Sequence, residues 1–343
     1  MEVPAMPGRA LVITLALAAG SAAAEETAVR TFLRDAIGLR PGQVADVEAG
    51  RVVTRSLPGA DKPEMAAFGA VRVAADKQVF LQRLRDLPRF RQGPSTLQIG
   101  QFHVPPTLDD LAGLTLEEGD FTAARECRPG DCAIKMARSA LERVHREMDW
   151  KAADARPRAT RLMKQMLVEY LSAYLEGGTA EMATYADREQ PQDTPAEFRK
   201  VLAASPYLVQ YAPELHRYLE RYPHGTLEGV EDLFYWTKDK FGPKPTIAIH
   251  HVTVWRDPKD ASRAAVATKQ IYASHYFQAG LELTALVDAP APLGGFYLIA
   301  LYRARVDPPT GMLSGVLLGR IRSGVEQGVA EGLRAAKARA EAR

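Results

Sequence analysis

The closing stretch of the chain constrains its fold more than any other. Residues 246–255 alternate like a strand, and Arg256-Asp-Pro-Lys-Asp260 turns the chain. Residues 264–286 read as one long β segment, with Gly280 marking a bulge. A Pro/Gly-rich turn at 289–295 leads into a last strand over 296–306. Turns this short make an antiparallel meander. A helix over 309–340 follows Asp307-Pro308-Pro309, a helix-start signal with proline in the first turn. Leu313, Leu317, Ile321, Val325, Val329 and Leu333 recur every four residues. At 3.6 residues per turn such a stripe drifts by about 40° per step and winds around the helix, as suits packing on a twisted sheet. Two glycine rows run beside it, Gly311/Gly315/Gly319 and Gly324/Gly328/Gly332. Each glycine costs the helix roughly 0.5–1 kcal/mol relative to alanine. Their expected role is close approach, of a strand backbone or of a ligand; the alternative is a long core helix with incidental glycines.

The opposite end reads as a processing signal. Arg9 precedes an apolar run over 10–19, and Ser21-Ala-Ala-Ala24 offers small residues before Glu25-Glu26. The run is shorter than the ~20 residues of a membrane span. The expectation is an exported chain, periplasmic or secreted, with a signal peptide over 1–24 and a single domain over 25–343. Export makes Cys127 and Cys132, which bracket a Pro-Gly turn, a short structural disulfide in the simplest reading. The C-x4-C spacing is unlike a C-x-x-C redox motif.

Composition excludes some classes. Lys and Arg number 44 against 42 Asp and Glu, so no global basic field argues for nucleic acid. No phosphate-cradling glycine loop, dinucleotide fingerprint, G-x-S-x-G elbow or H-E-x-x-H pair occurs, and no cofactor or metal ligand set is legible.

Between the ends, residues 26–37 read as a short helix, and 51–57 with 65–73 as a hairpin. Asp76 caps a helical pattern carrying Val79, Phe80, Leu84 and Leu87, and 97–102 is a further short strand. Over 105–235 strand patterns give way to helical ones, strongest at 156–176 and ending with 227–239. Tyrosine is dense there, which suits a groove or ordinary packing.

This order is α+β: a hairpin, a helix, a helical stretch, a meander and a long C-terminal helix. It resembles the START-like superfamily, also called the polyketide cyclase or Bet v 1-like helix-grip group. The strand-to-helix step Ala67-Phe-Gly-Ala-Val-Arg-Val-Ala-Ala-Asp-Lys-Gln-Val-Phe80, continuing to Phe90, carries the resemblance together with 246–340. The resemblance implies a curved antiparallel sheet gripping the C-terminal helix over an apolar cavity. It implies a hydrophobic small molecule or lipid as ligand, and brief membrane-surface contact as a partner. The 105–235 block departs from the family pattern and reads as a helical insertion or lid.

Candidate ligand contacts follow from strand parity. His251 and Lys269 fall on predicted neighbouring strands, and Lys269-Gln-Ile-Tyr-Ala-Ser-His-Tyr-Phe277 is the most polar-aromatic strand segment. Parity sets Lys269 and His275 on the face opposite Tyr272 and Tyr276; His251, Lys269, Tyr272, His275 and Tyr276 are the candidates for a ligand's polar head, with structural or surface positions as the alternative. Arg303 and Arg305 share a face and could hold an acidic group at the cavity mouth. Gly315 and Gly319 are expected to line the cavity from the helix. Two further readings stand beside binding: an enzyme of cyclase, isomerase or hydrolase type using His275 with Tyr272 or Tyr276, and a protein-interaction module presenting the tyrosine-rich block.

Overall fold

The computed structural model describes residues 28–309, 311 and 314–342. The expected signal peptide and Leu313 lie outside these residues. Two short helical segments, α1 (Ala28–Thr31) and α2 (Pro41–Glu48), open the chain. Pro41 starts α2, since proline is tolerated at the first position of a helix. The hairpin β1 (Val53–Leu57) and β2 (Glu64–Val73) forms as expected, followed by α3 (Lys77–Leu84), α4 (Leu87–Arg91) and β3 (Thr96–Phe102). Asp76 caps α3 by accepting from the Gln78 backbone N–H.

A helical block then runs to Arg221: α5 (Glu118–Glu126), α6 (Arg138–Glu147), α7 (Ala155–Gly177), α8 (Thr194–Ala203), α9 (Pro206–Tyr211) and α10 (Pro213–Arg221). A small two-stranded ladder, β4 (Thr184–Tyr185) with β5 (Gln192–Asp193), sits inside it. The block leaves the sheet after β3 and returns at β6 (Val230–Asp239), β3's hydrogen-bonded neighbour. β7 (Thr246–Arg256), β8 (Arg263–Ala273), β9 (Phe277–Asp288), β10 (Phe296–Val306) and α11 (Ser314–Glu341) complete the chain.

One antiparallel sheet orders its eight strands β1-β2-β10-β9-β8-β7-β6-β3. The molecule is thus an α+β protein with an eight-stranded antiparallel sheet and a long C-terminal helix. Two expectations need correction. Residues 227–239 were expected to be helical, because Val230, Leu233 and Phe234 mimic helical spacing; pairing with β3 and β7 makes this segment a strand. The segment 264–286 is two strands, turned at Ser274-His275-Tyr276, with Tyr276 at φ 61°. No glycine, proline or asparagine announces that turn. Gly280 itself pairs regularly inside β9; the register shifts fall at Arg305/Val306 on the β9–β10 ladder and at Ile249/His250 on the β7–β8 ladder.

The sheet is covered on both faces. α11, α3 and α4 pack on one, where Leu333, Ala336 and Ala340 join Val71, Val73, Phe80, Phe90 and Leu298. The block covers the other, burying Tyr174, Phe198 and Leu215 with Phe234, Trp236 and Ile249. α11 comes down on Gly69 of β2, where an added Cβ would lie 2.5 Å from Leu333 Cδ1 and 2.7 Å from Val329 Cγ1. The close approach foreseen for the helix glycines is thus made by a strand glycine. Gly315, Gly319, Gly324, Gly328 and Gly332 are exposed, and a Cβ added to any of them meets nothing within 4 Å.

Candidate functional site

On the α11 face, two apolar clusters leave a polar band between them. At one end lie Val71, Phe296 and Leu298 with the C-terminal half of α11. At the other lie Met65, Ala304, Phe277 and Leu318. The register builds the band directly: Tyr302 pairs with Glu282, and Glu282 with Thr268. One row further along, Gly280 pairs with Gln270, Gln270 with His250, and His250 with Tyr235. Strand alternation puts all of these side chains on the face that α11 covers.

Arg91, at the end of α4, reaches into the band. Its Nη1 donates to both Glu282 carboxylate oxygens at 3.0 and 3.2 Å, and its Nη2 donates to Thr268 Oγ1 at 2.7 Å. Burial opposes the guanidinium's charge, and Glu282 outweighs it. The Tyr235 and His250 rings stack with centroids 4.6 Å apart and planes 16° apart. Burial pushes His250 down to about 3, helped by the Arg91 charge, so the imidazole is neutral. Burial raises the Tyr235 and Tyr302 phenols. The Arg91 and Glu282 side chains remain 20% and 30% exposed, so the band is reachable from solvent. Arg91 Nε and Gln270 Oε1 have no hydrogen-bond partner among the described residues. Buried polar atoms normally find one, so these two stand out as unsatisfied hydrogen-bonding groups.

Most of the residues expected from sequence lie elsewhere. His251, Lys269 and Tyr272 face the helical block, on the far side of the sheet from α11. His251 is 1% exposed; its Nε2 meets Asp232 Oδ1 at 2.7 Å, and its Nδ1 meets the Tyr174 hydroxyl at 2.9 Å. Burial pushes His251 down, against the pull of Asp232. Burial alone would raise Asp232; the hydrogen bond from His251 holds it below its ordinary value. Lys269 is 1% exposed and donates to Thr179 Oγ1 at 2.6 Å, with Nζ 4.0 Å from the Phe198 ring centroid and 5.0 Å from that of Tyr174. Desolvation pulls it well below the usual lysine range. Tyr272 is buried and donates to the Lys135 carbonyl.

Arg303 and Arg305 also face the block. Arg303 pairs with Glu64, and Arg305 with Asp61 and Glu197, so both are committed to ion pairs away from any cavity mouth. His275 and Tyr276 sit in the β8–β9 turn. His275 Nδ1 contacts Ser274 Oγ at 2.8 Å, and burial with Lys244 and Lys135 nearby pushes the imidazole down to about 4. The Tyr276 hydroxyl accepts from the Lys244 backbone N–H. Tyr276 packs against the Phe277 and Leu318 cluster on the α11 face, whereas His251, Lys269, Tyr272, Arg303 and Arg305 lie on the other face of the sheet. The expected disulfide is present between Cys127 and Cys132.

Sequence reasoning missed Arg91, Gln270, Tyr235 and Tyr302. A signal existed: Thr268/Gln270 and Glu282/Thr284 are polar at every second position of otherwise apolar strands. Reading β8 and β9 as one strand hid their pairing.

No family model matches the chain, and no curated relative does. Among solved structures it is similar to a STAR-related lipid transfer protein (fragment 25–204) from Xanthomonas axonopodis. The identity is 9%, over 85% of this chain and 94% of that one, with a TM-score of 0.37.

Proposed function

We propose that this protein binds a hydrophobic or amphipathic small molecule, lipid-like in character, between the sheet and α11. The observation that carries this is the polar band. Arg91, Glu282, Gln270 and Tyr302 lie between two apolar clusters on one face, in partial contact with solvent, with two polar atoms unsatisfied. An apolar body would lie on the clusters while its polar group meets the band, the arrangement usual in small-molecule sites. Arg91 is already balanced by Glu282, so the band recruits its ligand by hydrogen bonds. The helical block would act as an insertion that seals the opposite face. The disulfide fits an exported protein, and no described helix is long and apolar enough to cross a membrane.

The test is titration with an apolar fluorescent dye, anilinonaphthalene sulfonate, on the folded protein. Gln270→Leu and Tyr302→Phe should each weaken dye binding several-fold. His251→Phe, on the other face, should leave it unchanged wherever that variant folds. Equal loss in all three variants would refute the assignment.

A further inference from the structure

The helical block holds a small cavity. It has about 20 Å³ of open space, enough for one water or one ion and too little for an organic ligand. Its walls come from α5, α6, α7 and the segments flanking α6. Four of the chain's nine methionines line it: Met136, Met148, Met163 and Met166. Trp150 and Phe121 add aromatic walls. Met163 and Met166 lie one turn apart on α7, and Met148 and Met166 are half-buried, so part of the cavity wall is exposed to solvent.

We propose that this pocket is a thioether site for a soft monovalent cation, Cu(I) or Ag(I). Thioethers are soft ligands that select Cu(I) over hard cations. Calcium needs six or more oxygens, and one carboxylate, Asp120, lines the cavity. Asp120 accepts from the Glu117 backbone N–H at 2.8 Å and already lies 3.9 Å from the Lys238 amine, so the thioethers and not a free carboxylate would hold the ion. The nearby thiols are unavailable, since Cys127 and Cys132 are bonded to each other. Soft ligation in this block therefore falls to the thioethers. Methionine has three rotatable bonds, so its sulfur can turn toward an ion without backbone movement. Trp150 also lines the cavity, and an indole ring attracts cations.

Ag(I), a redox-stable probe, is titrated into the purified protein in chloride-free buffer and followed by native mass spectrometry. One equivalent should bind, equally at pH 7 and pH 5, because thioethers do not titrate. Met163→Leu with Met166→Leu is close to volume-conserving and should weaken binding at least tenfold. A second readout uses the unaltered chain: peroxide oxidation of Met148 and Met166, followed by peptide mass, should slow several-fold with Ag(I). No bound ion, binding retained by the double variant, or binding lost at pH 5 as for histidine ligands would overturn the proposal. So would an oxidation rate indifferent to Ag(I), which would leave the cavity a packing gap or a water site.

Discussion

Lys269→Met should stabilise the protein. The Lys269 amine is withdrawn from water beneath the helical block, and Thr179 Oγ1 is its hydrogen-bond partner. Methionine keeps most of the side chain's length and packing against Phe198 while removing the amine. The loss is one hydrogen bond, worth about 0.5–1.5 kcal/mol net, with an aromatic contact that weakens once the amine is neutral. The gain is relief from burying a polar group, about 1–3 kcal/mol on mutational scales, and more for any charged fraction. The balance favours methionine by about 1–2 kcal/mol, a rise in melting temperature of roughly 1.5–3 °C for a chain this long, at about 2.1 cal/mol/K of unfolding entropy per residue. The pH dependence has a definite sign. The folded pKa lies below the unfolded one, so the unfolded chain binds the extra proton and the lysine costs stability up to about pH 10. The advantage of the methionine variant should therefore shrink as pH rises from 7 toward 10. Urea denaturation followed by tryptophan fluorescence at both pH values measures it. A variant less stable by more than about 1 kcal/mol, with a gap that ignores pH, would refute the reasoning.

Other consequences are open to measurement. Gly319→Ala, at an exposed helical site with room for a Cβ, should stabilise by about 0.5–1 kcal/mol, whereas Gly69→Ala should destabilise by roughly 1–3 kcal/mol as the methyl meets Leu333 and Val329; thermal melts of both variants decide. Glu64→Gln leaves Arg303 without its buried partner and weakens the hold on Arg305, and should cost about 3 kcal/mol in urea denaturation. His275, neutral when folded and pushed down to about 4, binds its proton more readily in the unfolded chain. Its effect is absent above about pH 6.5 and appears as pH falls toward 4, to at most about 3 kcal/mol. His275→Asn should flatten that part of the acid-stability curve, and an unchanged curve would count against the burial argument.

Much of the frame was legible in the sequence. The hairpin, the Asp76 cap, the helical block and the closing helix each follow from a local pattern. The candidate site was harder, because it depends on pairing. His251 and Lys269 looked like ligand contacts by strand parity, yet parity gives two faces without saying what covers each. The helical block, remote in sequence, covers theirs. Arg91 belongs to a short helix that nothing local connects to Glu282; the two meet because α4 folds back over β8 and β9. The helix glycines invited a close approach that their exposed face does not make, since a glycine's partner is a tertiary matter.

The most direct test of ligand binding is mass spectrometry on organic extracts of the protein purified without detergent from an exported preparation. The account predicts an apolar molecule near one per chain, at several-fold lower occupancy in Gln270→Leu. Extracts free of any such molecule, from protein that also fails to take one up when mixed with phosphatidylethanolamine–phosphatidylglycerol vesicles, would contradict it.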